Sequence, residues 1–219
     1  MKSDNMRFYS AMLMAGCGLH AAAQTQRPNI VFIITDDHSF QTISAYGSEV
    51  SKLAPTPNID RLANEGARFD DAFVENSLST PARACLLTGL YSHQNGQRTL
   101  GKGIDSTKTF VSELLQDAGY QTGVVGKWHM QCRPKGFDFF RIFEGQGDYY
   151  NPLVLSHDSN GKYEREQGYA TDIVTEHAVE FLNQRDEQKP FFLLVEHKAP
   201  HRTWMPNLKY LGLYDKVEF

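Results

Sequence analysis

The feature that most constrains the fold is a pair of short runs almost free of polar residues. Asn29 to Thr35 reads NIVFIIT, and Phe191 to Val195 reads FFLLV. A strand with one solvated face alternates apolar and polar residues, so these uninterrupted runs predict strands that are buried on both faces of a parallel sheet. Each such strand requires neighbouring strands and covering helices.

Helical patterns separate the predicted strands. Apolar residues recur at helical spacing in three segments that end at a glycine or a polar residue: Thr56 to Gly66, Val111 to Gly119 and Tyr169 to Asn183. Gln121 to Val125 is a further short strand, closed by Gly126. This alternation predicts an α/β fold with a mostly parallel sheet and helices on both faces. Pro134 to Lys162, rich in glycine, aspartate and aromatic residues, is predicted to be a long excursion over the surface.

Composition excludes several classes of protein. The 219 residues carry 22 Lys and Arg against 26 Asp and Glu, and 41% are hydrophobic. This globular mixture excludes a disordered tail, and the mildly acidic balance gives no reason to expect nucleic acid as a partner. An anionic substrate would need a local cationic site. Cys85 and Cys132 fit no zinc spacing; they could pair with each other, and we favour two unpaired thiols.

The N-terminus predicts export. A basic start, the apolar run Ala11 to Ala15 and the small residues Ala21 to Ala23 are typical of a signal peptide over residues 1–23. This places the mature protein in the periplasm or outside the cell. Met14 to Cys17 also resembles the lipobox of bacterial lipoproteins, so lipidation of Cys17 is the alternative. No run reaches the roughly 20 apolar residues of a transmembrane span.

Polar clusters follow three predicted strands, where parallel α/β sheets bind their ligands. They are Asp36-Asp37, Lys127-Trp128-His129 and His197 to His201. Adjacent carboxylates repel each other, and a hard cation such as Ca²⁺ or Mg²⁺ would relieve that repulsion. A helix-capping pair or a solvated turn is the alternative for Asp36-Asp37.

A second candidate site lies in the segment Ser79-Thr80-Pro81-Ala82-Arg83. We predict a helix with Thr80 as its cap and Pro81 as its first residue, ending at Gly89. Ser79 then precedes a helix N-terminus, where backbone N–H groups favour an anion. Arg83, one turn along the same face, could bind that anion with its planar donors. By itself the segment could also be an ordinary helix start.

The motif Ser79-x-Pro81-x-Arg83 with Leu87-Thr88-Gly89 resembles the signature of the type I sulfatases, members of the alkaline-phosphatase-like superfamily. Further stretches resemble family blocks and follow in family order: Asn29 to Asp37, Pro55 to Ala63 with Gly66, Leu114 to Gly119, Gly126 to His129, and Lys198 to His201. Together they cover nearly everything from Arg27 onward. Because the signature residue is serine, the chain is most similar to the serine-type bacterial enzymes.

The resemblance implies a sulfuric ester hydrolase whose Ser79 is oxidised to formylglycine by a radical maturation enzyme. The hydrated formylglycine is a gem-diol. One of its hydroxyls attacks sulfur and displaces the sugar or phenol oxygen, and the other then loses its proton as the aldehyde re-forms and sulfate leaves. An unmodified serine would be trapped as a stable sulfate ester.

Matching positions imply the site residues. Three match metal ligands that would hold Ca²⁺: Asp36, Asp37 and modified Ser79. Four match residues around the formylglycine and the sulfate: Arg83, Lys127, His129 and His201. Among these, Arg83 would bind the formylglycine, Lys127 and His129 would contact the diol and the sulfate, and His201 would hold the sulfate as a candidate general acid. No role is expected for His93 or His197, and His177 is expected to be a core histidine.

The sequence also departs from the family. Type I sulfatases are considerably longer, and their later portion supplies further metal ligands and another lysine for the sulfate. Residues 24–219 therefore resemble the N-terminal part of a catalytic domain, a truncated version of the family fold. Truncation predicts at least one strand with an unpaired edge and exposed apolar surface, and it leaves the activity of this chain alone in question.

The block Ala199 to Pro206 resembles sulfatases of glycosaminoglycan or mucin sugars, with 6-O-sulfated N-acetylglucosamine as the first choice and N-sulfoglucosamine enzymes as near relatives. A phosphodiesterase or phosphonate hydrolase of the same superfamily is one alternative. An inactive remnant that binds sulfated glycans is another.

Overall fold

Six strands form one sheet in the part of the chain that the computed structural model describes, residues 27–218. The segment predicted as a signal peptide, with Cys17, lies outside the described residues. The strand order across the sheet is β1-β6-β2-β3-β4-β5. The strands are β1 (Ile30–Thr35), β2 (Gln121–Gly126), β3 (Phe139–Phe143), β4 (Leu153–Ser156), β5 (Tyr163–Arg165) and β6 (Phe191–His197).

The sheet is mostly parallel, as predicted. β1, β6, β2 and β3 run parallel, whereas β4 and β5 pair antiparallel at one edge. The register pairs Thr35 with His197 and Gly126 with Glu196. The carboxyl ends of β1, β6 and β2 therefore lie at the same level, which brings the three polar clusters to one edge.

Helices cover both faces. They are α1 (Glu49–Leu53), α2 (Pro57–Glu65), α3 (Ser79–Thr88), α4 (Ser92–Asn95), α5 (Val111–Asp117) and α6 (Ala170–Gln184), with short 3-10 turns at Phe40–Thr42, Ser44–Tyr46 and Leu208–Tyr210. α3 and α5 pack on one face of the sheet, where Leu87 joins a core with Phe192 and Leu194. α6 packs on the other, where Phe181 joins a core with Leu193. The prediction of an α/β fold with helices on both faces is confirmed.

The prediction for Pro134 to Lys162 is wrong. This segment contains β3 and β4, and Phe140 and Phe143 are among the most buried side chains. Its glycines and aspartates form the turns, but its aromatic residues fill both cores. Because this segment contains both turn residues and buried aromatic residues, its composition predicted a loop where the structure has two interior strands.

β1 does not occupy the interior position that its sequence predicts. Among the described residues it pairs only with β6, and Val31, Phe32 and Ile33 are 49%, 39% and 55% exposed. The companion prediction, of a strand with an unpaired edge and exposed apolar surface, is confirmed for residues 27–218.

Local details around α3 also differ from expectation. The helix begins at Ser79, with Leu78 in the capping position and no side-chain cap. Thr80 is fully buried, and its hydroxyl donates a hydrogen bond to the carbonyl of His129. It therefore links α3 to the loop after β2 instead of capping the helix. Cys85 and Cys132 are unpaired, as predicted. Within residues 27–218, no helix combines the length and the apolar character needed to cross a membrane.

Candidate active site

Backbone hydrogen bonds join the loops that carry the predicted site residues. The amide of Asp36, just after β1, donates to Ala199 O at 3.2 Å, beyond the end of β6. The amide of Lys127, just after β2, donates to Glu196 O at 2.8 Å. Gly126 makes the second contact possible, because a Cβ at this position would lie 2.1 Å from the carbonyl oxygen of Glu196. These hydrogen bonds therefore hold the ends of β1, β2 and β6 together at one polar edge of the sheet.

Arg83 connects this edge to α3. It is 4% exposed, and its Nε donates to Ser79 Oγ at 3.2 Å, one turn earlier in the helix. Its Nη1 donates to Lys127 O at 2.7 Å and lies 2.8 Å from Glu196 Oε1. Arg83 therefore links the side chain of residue 79 to the ends of β2 and β6.

A buried ion pair forms the floor of the site. Lys127 is fully buried and its ammonium donates to Asp36 Oδ2, while Asp36 is 6% exposed. Arg83 Nη2 lies 3.9 Å from the same oxygen. Burial lowers the pKa of Lys127, and the contact with Asp36 opposes that shift. Since Arg83 also contacts Glu196, the floor brings two cationic side chains and two carboxyl groups together.

The two adjacent carboxylates have different environments. The side chain of Asp37 is 62% exposed, its φ is 64°, and its Oδ2 lies 3.8 Å from His201 Nε2. The backbone turn at Asp37 therefore separates it from the buried Asp36. Together with the Ser79 hydroxyl, they offer oxygen donors of the kind Ca²⁺ prefers, but fewer than the 6–8 it usually takes. In residues 27–218, no group of three or more His, Cys, Asp or Glu side chains is arranged to hold a metal ion.

The two predicted histidines flank the site. His129 adopts a φ of 50°, and its Nδ1 lies 3.3 Å from Thr80 Oγ1. Burial, together with the charges of Lys127 and Arg83, lowers the pKa of His129 to about 4. His201 Nδ1 contacts the carbonyl of Arg202 at 2.6 Å, so Nδ1 carries a hydrogen and Nε2 is the nitrogen facing Asp37. The Tyr149 hydroxyl donates to His201 O at 2.5 Å and holds that loop.

Two residues of this cluster were given no role in the sequence analysis: Glu196, which was not singled out, and Lys198, which was named only within the segment His197 to His201. Glu196 is 2% exposed and contacts Arg83, and burial raises its pKa to about 7 although Arg83 opposes the shift. Its signal was available: it is the one carboxylate in the strand FFLLVEH. Lys198 is 6% exposed, with its Nζ 5.0 Å from the centre of the Tyr149 ring. Burial lowers the pKa of Lys198 as well.

The three histidines that were expected to have no role in the site make none of these contacts. His93 is exposed and stacks on Tyr91 beside α4. His177 is buried in α6 with its Nε2 2.8 Å from Glu166 Oε2, in keeping with the predicted core role. His197 is more buried than an ordinary polar position, and its Nδ1 has no partner among the described residues.

Comparisons with known proteins identify the family. A family model described as Sulfatase matches residues 28–217, and the chain therefore belongs to the sulfatase family. It is 46% identical over 213 residues to an N-acetylglucosamine-6-O-sulfatase of Bacteroides thetaiotaomicron, covering 96% of this chain and 37% of that relative. The chain thus spans well under half the length of this curated relative.

Solved structures agree with this assignment. A structure in complex with its substrate D-glucosamine-2-N,6-O-disulfate matches with a TM-score of 0.84 and 47% identity, over 89% of this chain and 39% of that one. A structure of Ps i-CgsB in complex with k-i-k-neocarrahexaose matches with a TM-score of 0.80 and 30% identity, over 89% of this chain and 50% of that one. The fold of this chain is alkaline-phosphatase-like, as the sequence motifs implied.

Proposed function

We propose that residues 24–219 form the N-terminal part of a sulfatase catalytic domain that removes sulfate from glycans. The observation that carries this proposal is the contact of Arg83 Nε with Ser79 Oγ beside the buried Asp36–Lys127 pair. The preferred substrate is 6-O-sulfated N-acetylglucosamine of a glycosaminoglycan or mucin. A relative named for that activity and a structure solved with a 6-O-sulfated glucosamine support this choice.

The charge distribution supports an anionic substrate. The sequence as a whole has a formal net charge of -4, yet four cationic or protonatable side chains meet at one edge of the sheet: Arg83, Lys127, His129 and Lys198. A sulfate group at this edge would provide the negative charge that the buried cations only partly receive from Asp36 and Glu196. Binding would therefore be electrostatically favourable at a local site on an acidic protein.

Residue 79 is proposed to act as formylglycine, made from serine by a radical maturation enzyme. Ser79 is the first residue of α3 and is partly exposed, so its modification need not disturb the core. Arg83 donates along its Nε–H bond toward the residue 79 oxygen and would polarise the group there. Lys127 and His129 would contact the sulfate. His201 would be the candidate proton donor to the leaving oxygen when Nε2 carries a proton in addition to the one on Nδ1.

Asp36, Asp37 and residue 79 are proposed to contribute to a Ca²⁺ site. When bound, the ion would lower the pKa of the residue 79 hydroxyl and offset the charge of the sulfate. The oxygen chemistry of these three residues fits a hard cation, and their number leaves room for further ligands.

We also propose that the 1–23 segment directs export, with lipidation at Cys17 as the alternative.

The experiment is co-expression with a radical maturation enzyme, followed by mass spectrometry of the peptide that spans Ser79. The peptide should lose two hydrogens and react with a hydrazide, and Ser79→Ala should prevent both changes. Unmodified Ser79 after effective maturation of a control sulfatase would contradict the proposed mechanism.

Rates on an aryl sulfate and an aryl phosphodiester then separate the two enzyme classes. Faster phosphodiester turnover would favour the phosphodiesterase or phosphonate hydrolase alternative. Modified residue 79 with no turnover of either ester would favour the inactive remnant.

A further inference from the structure

Glu196 is a buried carboxylate with an unusual location. It lies near the end of β6, a strand whose preceding five residues are all apolar. Its side chain is 2% exposed and points to the face of the sheet that α3 covers, where Oε1 lies 2.8 Å from Arg83 Nη1. Its second oxygen, Oε2, has no hydrogen-bond partner among residues 27–218. A buried carboxylate costs stability even when it is paired with a cation, so the burial of Glu196 beside Arg83 needs a physical explanation.

The contacts of Arg83 supply that explanation. Nη1 has two acceptors from different parts of the chain: Glu196 Oε1 on β6, and Lys127 O, just after β2, at 2.7 Å. Because the guanidinium is planar, two acceptors at one nitrogen restrict the orientation of the whole group. In that orientation Nε faces Ser79 Oγ at 3.2 Å, and Nη2 stays 3.9 Å from Asp36 Oδ2.

Asp36 is the competing acceptor. Its carboxylate is close enough to attract Arg83, and a two-bond pair with a carboxylate is the geometry that guanidinium groups favour. Forming that pair would rotate Nε away from residue 79 and occupy the Asp36 oxygens. Glu196 opposes this rotation because it holds Nη1, whereas the nitrogen nearest to Asp36 is Nη2.

We propose that Glu196 is a positioning residue that holds the Arg83 guanidinium toward residue 79 and away from Asp36. The consequence for catalysis rests on the proposed sulfatase function, whereas the orientation of Arg83 does not. Glu196 therefore acts on the reaction through Arg83 and need not contact substrate.

Kinetics of the matured protein test the catalytic consequence. Glu196→Ala should lower kcat on an aryl sulfate by roughly 10- to 100-fold, the range for losing a hydrogen bond to a charged group, with KM nearly unchanged. Glu196→Gln keeps an acceptor for Nη1 and should restore most of kcat. With Arg83→Lys already present, Glu196→Ala should have little additional effect. An unchanged kcat in Glu196→Ala, or equal losses in the alanine and glutamine variants, would overturn the proposal.

A nuclear magnetic resonance measurement tests the orientation without turnover. The Arg83 Nε–H signal, assigned by its loss in Arg83→Lys, should shift and exchange faster with water in Glu196→Ala, but not in Glu196→Gln. Glu180→Ala provides the matched control, because Glu180 pairs with Arg141 at 2.8 Å on the α6 face, away from the site. This control should leave the Arg83 signal and kcat unchanged. An Arg83 signal unaffected by Glu196→Ala would show that Lys127 O alone orients the group, and the proposal would fail even if turnover is absent.

Discussion

β6 and β1 are adjacent strands of similar composition in very different environments. β6 lies between β1 and β2, and Leu193 and Leu194 are 1% and 0% exposed. β1 lies at the edge of the described sheet, with Ile33 55% exposed. The difference extends to the site, because Glu196 on β6 is buried in an ion cluster, whereas Asp37 after β1 is largely in solvent.

The comparison shows that the two sides of the site differ in preorganisation. On the β2–β6 side, Arg83 and Lys127 are buried and held by several acceptors from different elements. On the β1 side, Asp37 has one distant partner, His201, and the strand beneath it lacks cover among residues 27–218. The part of the site formed by Arg83, Lys127 and Asp36 should therefore be rigid, and Asp37 comparatively free to adapt.

The largest effect is expected from breaking the buried pair. Lys127→Met keeps the apolar stem but leaves Asp36 buried without its main partner, and should lower the free energy of unfolding by about 3–5 kcal/mol. Lys52→Met, which removes an exposed pair with Glu49, should have no measurable effect. Urea denaturation of both variants measures the difference. Equal stabilities would mean that the floor of the site is hydrated and not preorganised.

A pair of truncations tests the strand comparison directly. Leu194→Ala on β6 should cost about 2–5 kcal/mol, because it creates a cavity in a closed core. Ile33→Ala on β1 should cost about 0.5 kcal/mol or less, as substitutions at exposed positions usually do. Urea denaturation again provides the values. A large loss for Ile33→Ala would show that this side of β1 is covered in solution.

A smaller effect is expected from pH. The pKa of His129 is about 4 in the fold, below the ordinary value of 6.5. Between these values the unfolded chain binds a proton that the folded chain does not, so stability should fall as pH decreases from about 6.5 toward 4. The melting temperature measured across this range should depend less steeply on pH in His129→Gln. His93→Gln, at an exposed position, is the control. An identical slope in the unmodified protein and in both variants would contradict the lowered pKa of His129.

The smallest effect is expected from Ca²⁺. Asp36 is engaged by Lys127 and Asp37 is exposed, so millimolar Ca²⁺ should raise the melting temperature by less than about 2 °C. Differential scanning calorimetry with and without a chelator measures the shift. A rise of several degrees that Asp37→Asn removes would show that the described oxygens already form a complete site, and that the β1 side is more ordered than the comparison implies.

Much of this architecture could be predicted from local patterns. Helix periodicity and glycine stops located α2, α5 and α6 closely, and apolar runs located β1, β2 and β6. The signature around Ser79 and the polar clusters after three strands identified the same residues that the structure brings to one edge. Such predictions succeed because helix ends, buried strands and parallel-sheet edges depend on neighbouring residues or on one general rule of topology.

The sequence by itself therefore determined the helices and strands that local patterns mark, the fold class and the candidates for catalysis. The tertiary structure decided which apolar strand is interior, since β1 and β6 carry the same kind of pattern and differ only in their neighbours. It also decided that β3 and β4 are buried strands, that Thr80 links α3 to His129, and that Glu196 contacts Arg83. These features depend on residues far apart in the chain meeting at defined distances, and local periodicity carries no information about such contacts.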